Sequence, residues 1–289
     1  MDKWGLALSG GGILGAAHLG VVAALEDMGL RPPVLAGTSA GGLVAGILAL
    51  GVPVADVTAV ATRVAAHPFR YLRPTVVGLI DELLAHGPAA TGLLDPAAFL
   101  GALLSLAPGA ATTADWDRPT AITSVDLVSL RPVGFPSEPV EPPADGNWEV
   151  ILGAPLRLAL GATMAEPALY TTAADAAHVF VDGGLADTLP EDWAVAMGAE
   201  RVIAVQVSPA RPASGTRMGL TTVIERSIAF VTHDADHLRR PTRPVLRIQP
   251  HTEGVPLFGF SHFGQLVVAG AAAVRARQAE IRRFLDGAA

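Results

Sequence analysis

The sequence predicts an α/β protein of three layers, with helices on both sides of a mainly parallel central sheet. Three observations carry this. A short apolar strand, Leu6-Ala7-Leu8, runs into glycines and then a helix. A second, Val34-Leu35-Ala36, repeats the same order. Further on, Arg201–Val207 (Arg-Val-Ile-Ala-Val-Gln-Val) is the clearest buried strand, with the apolar run Val202–Val205 that a strand covered on both faces requires. Strand, glycine turn and helix in repetition is the rhythm of parallel strands joined by helical crossovers.

Each element follows from its own punctuation. Behind Leu6–Leu8 and Ser9-Gly10-Gly11-Gly12, a helix reads from Leu14 to Met28 and is stopped by Gly29. Behind Val34–Ala36 and Gly37-Thr38-Ser39-Ala40-Gly41-Gly42, a helix reads over Leu43–Leu50 and closes on Gly51. Helical patterns follow at Val54–Ala66, Val77–Ala85 and Pro96–Leu106. Strands are expected at Thr120–Leu127 and Arg131–Phe135. Pro136–Asn147, rich in Pro, Glu, Asp and Gly, reads as a surface loop. A short helix at Pro155–Leu160 precedes a strand, His178–Val181, that ends at Asp182-Gly183-Gly184. Helices near Leu220–Arg239 and Gln265–Leu285 flank a strand at Pro244–Ile248. The alternation continues throughout, so residues 1–289 read as one domain.

Composition narrows the function. Of the 289 residues, 51% are hydrophobic and 16% charged, which gives a sizeable core and excludes general disorder. A net charge of −7 lacks the basic footprint of a nucleic-acid binder. The absence of cysteine removes disulfides, thiolate metal sites and a cysteine nucleophile. Lys3 is the only lysine, so a buried lysine base or Schiff base is excluded. Two uncharged stretches, Trp4–Leu25 and Pro32–Ala55, are interrupted by glycines and prolines. They read as buried strands and helices, neither an export signal nor a membrane span. The expectation is a soluble cytoplasmic protein that makes transient contact with a membrane surface; the oligomeric state is not specified.

Two glycine motifs carry chemistry. Gly10-Gly11-Gly12-Ile13-Leu14-Gly15 satisfies G-x-G-x-x-G between a strand and a helix, a loop that offers backbone N–H groups to a negative charge. A dinucleotide site needs an acid at the end of the second strand, and that strand ends Ala36-Gly37-Thr38. Without G-K-[ST] the loop is no P-loop either. An oxyanion hole is the remaining ligand-binding reading, against glycines that serve only a tight turn. Gly37-Thr38-Ser39-Ala40-Gly41 matches G-x-S-x-G in the strand-to-helix setting of a nucleophile elbow, with Ser39 projecting and Gly37 and Gly41 permitting the turn. His178 and Asp182 lie on one face of a strand, about 13 Å apart at ~3.3 Å per residue, too far to serve one hydroxyl together. His233 and His237, with Asp234 and Asp236 between them, read as a solvated helix face before a metal site, so neither metal nor cofactor is expected.

In order along the chain, the glycine loop at 10–15, the elbow at 37–41 and the turn Asp182-Gly183-Gly184 resemble the patatin-like phospholipase family. His18-Leu19-Gly20-Val21, Ala162–Pro167, Asp187-Thr188-Leu189-Pro190, the Arg201–Val207 strand and the Gly270 helix are similar too. The resemblance implies a Ser39–Asp182 dyad that hydrolyses a lipid or other carboxylic ester through an acyl-enzyme. It also implies an oxyanion hole from the loop glycines Gly10, Gly11, Gly12 and Gly15, with Gly11 and Gly12 as donors. Two positions depart from the pattern: Leu14 stands where Arg or Lys is usual, and Thr163 where Ser is usual. Asp126 resembles a recurrent position whose expected role is strand-end packing or a turn. Phe69–Ile80, with Arg70, Tyr71 and Arg73, reads as a core-facing segment before an interfacial lid, and Leu257–Phe260 raises the same question. Two other readings stay open. One is a Ser–Asp–His esterase drawing on His178 or His262. The other is a lipid-binding or regulatory protein that keeps the fold without catalysis.

Overall fold

The computed structural model describes residues 3–75, 91–144, 146–207, 223, 226–227, 242–256 and 258–287. The first half runs β1 (Trp4–Leu8), a 3-10 turn (Gly12–Gly15), α1 (Ala16–Asp27), β2 (Val34–Thr38), α2 (Ala40–Leu48), α3 (Val54–Ala66), α4 (Pro68–Tyr71), β3 (Arg73–Pro74), β4 (Gly92–Asp95) and α5 (Ala97–Leu104). Then come β5 (Thr120–Asp126), β6 (Arg131–Pro136), β7 (Glu149–Val150), α6 (Leu156–Thr163), β8 (Ala168–Tyr170), β9 (Ala173–Ala174) and β10 (Val179–Asp182). The last elements are α7 (Glu191–Ala196), β11 (Arg201–Val205), β12 (Val245–Ile248), α8 (Phe263–Arg275) and α9 (Gln278–Asp286). The helix expected at Val77–Ala85 and nearly all of that at Leu220–Arg239, with His233 and His237, lie outside the described residues.

Nine strands form the central sheet in the order β12-β11-β1-β2-β5-β10-β9, with β6 against β5 and β7 against β6. β12, β11, β1, β2 and β5 are parallel, while β10 and β6 both run against β5. The mainly parallel α/β class is therefore the observed one.

Period-2 alternation divides the core in two. Leu6, Leu8, Leu35, Ile122, Ile203 and Val205 face one way, into a cluster completed by α1, α2, α3 and α8. Ala7, Val34, Ala36, Ala121, Val202 and Ala204 face the other way, onto Trp193 of α7 and Trp148. The second face is mostly alanine and packs Trp193 closely: a Cβ on Gly134 would lie 2.1 Å from its ring. Full burial of a Leu or Ile side chain contributes about 1.5–3 kcal/mol, so the larger face holds most of the stability.

One expected helix, Gln265–Leu285, is two. The chain breaks at Ala276-Arg277, where the Arg277 guanidinium grips Glu280 at 2.6 and 2.7 Å and also bonds the Arg247 carbonyl. The break turns α9 back so that Ile281 and Leu285 reach the core. A small second sheet, β3-β4-β8, was not legible in the sequence, its strands being two to four residues long. Among the described residues, no helix is long and apolar enough to cross a membrane.

Candidate active site

Ser39 sits between β2 and α2 with φ 55° and ψ −124°, a backbone conformation costing a non-glycine residue roughly 1–3 kcal/mol. The neighbouring glycines permit it. A Cβ on Gly37 would lie 2.4 Å from the Gly41 carbonyl oxygen, and one on Gly41 would lie 2.2 Å from that of Leu8. The strained residue is braced on both sides. Its N–H donates to the Thr163 hydroxyl at 2.9 Å. The preceding Thr38 hydroxyl lies 2.7 Å from that of Thr123 and donates to the Asp187 carbonyl at 2.8 Å. Thr163 thus supplies an acceptor that serine could equally supply, which accounts for the change at that position.

Asp182 reaches Ser39 by a route other than the convergence of parallel strands. β2 runs along one edge of β5 until Thr38 meets Thr123. On that same edge β10 runs the opposite way until Asp182 meets Ser124. β6 occupies the other edge of β5 from Ala121 to Asp126. The two strands therefore meet head to head on consecutive residues of β5, which brings the elbow serine and the aspartate together.

The meeting point is fixed by hydrogen bonds. The Asp126 carboxylate accepts from the N–H groups of Val128, Ser129 and Val179, tying the β5 turn to the start of β10. Those bonds outweigh burial and hold Asp126 down at about 2. Its role is the expected turn.

The Asp182 carboxyl is buried and accepts from Gly184 N–H at 2.7 Å. Desolvation raises its pKa to about 6, against the opposing effects of hydrogen bonds from the Ser39 side chain and Gly184 N–H. A carboxylate so placed is a stronger base than one in water.

In the glycine loop, Gly10 N–H donates to the Thr188 carbonyl at 2.9 Å, so it is occupied. A Cβ on Gly10 would lie 3.3 Å from that of Ser39, and one on Gly15 2.4 Å from that of Ala40. These two glycines let the loop close on the elbow. Gly11 and Gly12 have φ of 153° and 53°. Among the described residues, their N–H groups donate to no protein acceptor.

A cavity of about 130 Å³ opens at Ser39. Gly12, Gly15 and Ala40 border it at the serine, and Leu19, Leu43, Val57, Val64 and Leu103 extend it as an apolar wall. Glu166 and Tyr170, which sequence reasoning missed, also line it. Burial, then the Glu166 and Asp182 charges, raise the Tyr170 phenol above its ordinary pKa, so it stays protonated. Their signal was faint: Glu166 lies within the Ala162–Pro167 stretch and Tyr170 just beyond it.

Among the described residues no histidine lines this cavity. His178 stands at the far end of β10, with Nδ1 on Asp175 at 3.0 Å and Nε2 3.4 Å from Glu149. His262 Nδ1 lies 3.3 Å from the Ser261 hydroxyl.

Comparison with known proteins gives several matches. A Caenorhabditis elegans patatin-like phospholipase domain-containing protein is 40% identical over 88 residues, 30% of this chain and 6% of that protein. A Mycosarcoma maydis lysophospholipase is 53% identical over 45 residues, 16% of this chain and 2% of that one. An NTE family protein of Mycobacterium tuberculosis is 27% identical over 219 residues, 75% of this chain and 52% of that protein. The chain thus spans about half or less of the length of these curated relatives. Among solved structures, VipD from Legionella pneumophila is 13% identical and aligns over 93% of this chain and 67% of that one, with a TM-score of 0.43. The sequence profile of the patatin-like phospholipase family matches residues 6–195, which include the glycine loop, the serine elbow and the aspartate turn, and the chain belongs to that family.

Proposed function

We propose that the protein is a serine hydrolase of lipid carboxylic esters, with Ser39 as nucleophile and Asp182 as its base. The observation that carries this is the pairing of a strained elbow serine, which lines an apolar cavity, with a buried, pKa-raised carboxyl. Ser39 Oγ attacks the ester carbonyl carbon while its proton passes to Asp182. The carbonyl oxygen becomes an oxyanion and takes hydrogen bonds from Gly11 and Gly12 N–H. One such donor is typically worth about 3 kcal/mol. The intermediate collapses, and the departing alkoxide takes the proton from Asp182 and leaves as the alcohol. Asp182 then accepts a proton from water, whose oxygen attacks the acyl-Ser39 carbonyl. The second collapse returns that proton to Ser39 and frees the fatty acid.

The apolar wall suits an acyl chain. Phe69 and Phe258, 65% and 44% exposed, stand close in sequence to the cavity-lining residues Leu72 and Phe260. With the exposed Arg70 and Arg73 nearby, they suit contact with a lipid surface during substrate uptake.

The test is intact-protein mass spectrometry after fluorophosphonate treatment, run beside hydrolysis of p-nitrophenyl butyrate and of lysophosphatidylcholine. The expected result is one adduct per wild-type chain, no adduct in Ser39→Ala, and slowed labelling in Asp182→Asn. A folded wild type that neither labels nor hydrolyses would overturn the reading.

A further inference from the structure

We propose that Ser9 and His18 are positioning residues that fix the orientation of the Gly11 N–H at the candidate oxyanion hole. The inference rests on the Ser39–Asp182 hydrolase reading and adds residues to it. Two consecutive peptide groups lead from β1 into the loop, and each is pinned. The carbonyl of the Ser9–Gly10 peptide lies 2.9 Å from His18 Nε2, and its N–H donates to the Thr188 carbonyl at 2.9 Å. The carbonyl of the next peptide, Gly10–Gly11, accepts from the Ser9 hydroxyl at 2.9 Å. In a trans peptide the C=O and N–H point in opposite directions across one rigid plane. Holding the Gly10 carbonyl therefore aims the Gly11 N–H, a donor that no protein group takes among the described residues.

The clamps are themselves held. Ser9 is wholly buried, and its hydroxyl oxygen also accepts from Val207 N–H at 3.0 Å. The Val207 carbonyl in turn accepts from the Thr252 hydroxyl at 2.7 Å. His18 is wholly buried on α1, and its Nδ1 has no protein partner. Burial lowers its pKa to about 4, so near neutrality the ring is uncharged and carries one N–H. A carbonyl can use only a protonated nitrogen, so the tautomer bears its hydrogen on Nε2. A leucine in its place would leave the buried Ser9 carbonyl without this donor. The polar ring remains for the one contact it makes, the carbonyl ahead of Gly10.

The test compares wild type, Ser9→Ala, His18→Leu and His18→Gln on p-nitrophenyl butyrate. kcat is expressed per site titrated to completion with a fluorophosphonate, so that misfolded protein does not count. A misaimed oxyanion donor is expected to lower kcat about 10- to 100-fold in Ser9→Ala and His18→Leu while KM moves less than about twofold. His18→Gln, whose amide N–H can reach the same carbonyl, is expected to recover most of the loss. Wild-type kcat per titrated site in either deletion variant would overturn the proposal. Failure of the glutamine to exceed the leucine would overturn the part played by His18. Should His18→Leu not fold, Ser9→Ala, which removes a single oxygen, decides the matter alone. A wild type that is inactive and unlabelled would instead refute the hydrolase reading beneath it.

Discussion

Replacing Asp182 by asparagine should make the protein more stable while disabling it. The carboxyl has a pKa of about 6 in the fold, against an ordinary 3.8. A gap of about two units, at 1.36 kcal/mol each, amounts to about 3 kcal/mol of native-state stability. For an acid raised in the fold, the native state binds more protons than the unfolded one between those two values. Its contribution is therefore fully present below about pH 4 and is lost as pH rises through about 6. Asparagine keeps an oxygen for Gly184 N–H and has no charge to desolvate. Urea unfolding of wild type and Asp182→Asn, followed from about pH 4 to pH 7.5, isolates this group because the other titrations cancel in the difference. The variant should gain about 2–3 kcal/mol over wild type by pH 7.5 relative to their difference at pH 4. The kcat/KM of the wild type should rise with pH through about 6 as the base ionises. A stability difference that does not change with pH, or one that favours the wild type as pH rises, would refute the desolvation argument. The activity of the variant plays no part in that outcome.

Two further outcomes follow from packing. Val64 is buried in α3 and lines the cavity, so Val64→Phe should shorten the acyl chain accommodated. Excluding two methylenes costs about 1.6 kcal/mol, or about 15-fold in the ratio of kcat/KM for p-nitrophenyl dodecanoate over acetate; an unchanged ratio would separate the cavity from acyl binding. Gly41→Ala puts a Cβ 2.2 Å from the Leu8 carbonyl oxygen and should destabilise by about 3 kcal/mol, read as a shift in the urea midpoint. A fall below about 0.5 kcal/mol would show that the elbow can move away from β1.

The sequence by itself determined the local features. Strand, glycine turn and helix around residues 10–15 and 37–41 are set by side-chain size and backbone freedom within a few neighbouring residues. They mark an α/β sheet, an elbow serine and a glycine loop at a helix start without reference to the rest of the chain. The break at Ala276-Arg277 was hidden because it depends on Arg277 reaching the Arg247 carbonyl, thirty residues away. The strands β3, β4 and β8 were hidden because so few residues carry no readable alternation.

Tertiary structure alone decided how the candidate site is assembled. In a mainly parallel sheet, convergence of strand carboxyl ends is the ordinary route for joining two such residues as Asp182 and Ser39. The chain instead sets β2 and β10 end to end on β5, because β6 takes the other edge and Asp126 pins the start of β10. Likewise, the bracing of Ser39 by Thr163, and of the glycine loop by Thr188, Ser9 and His18, joins groups from separate elements. Hydrogen bonds of this kind depend on where distant strands end, and a sequence read outward from each motif does not specify that.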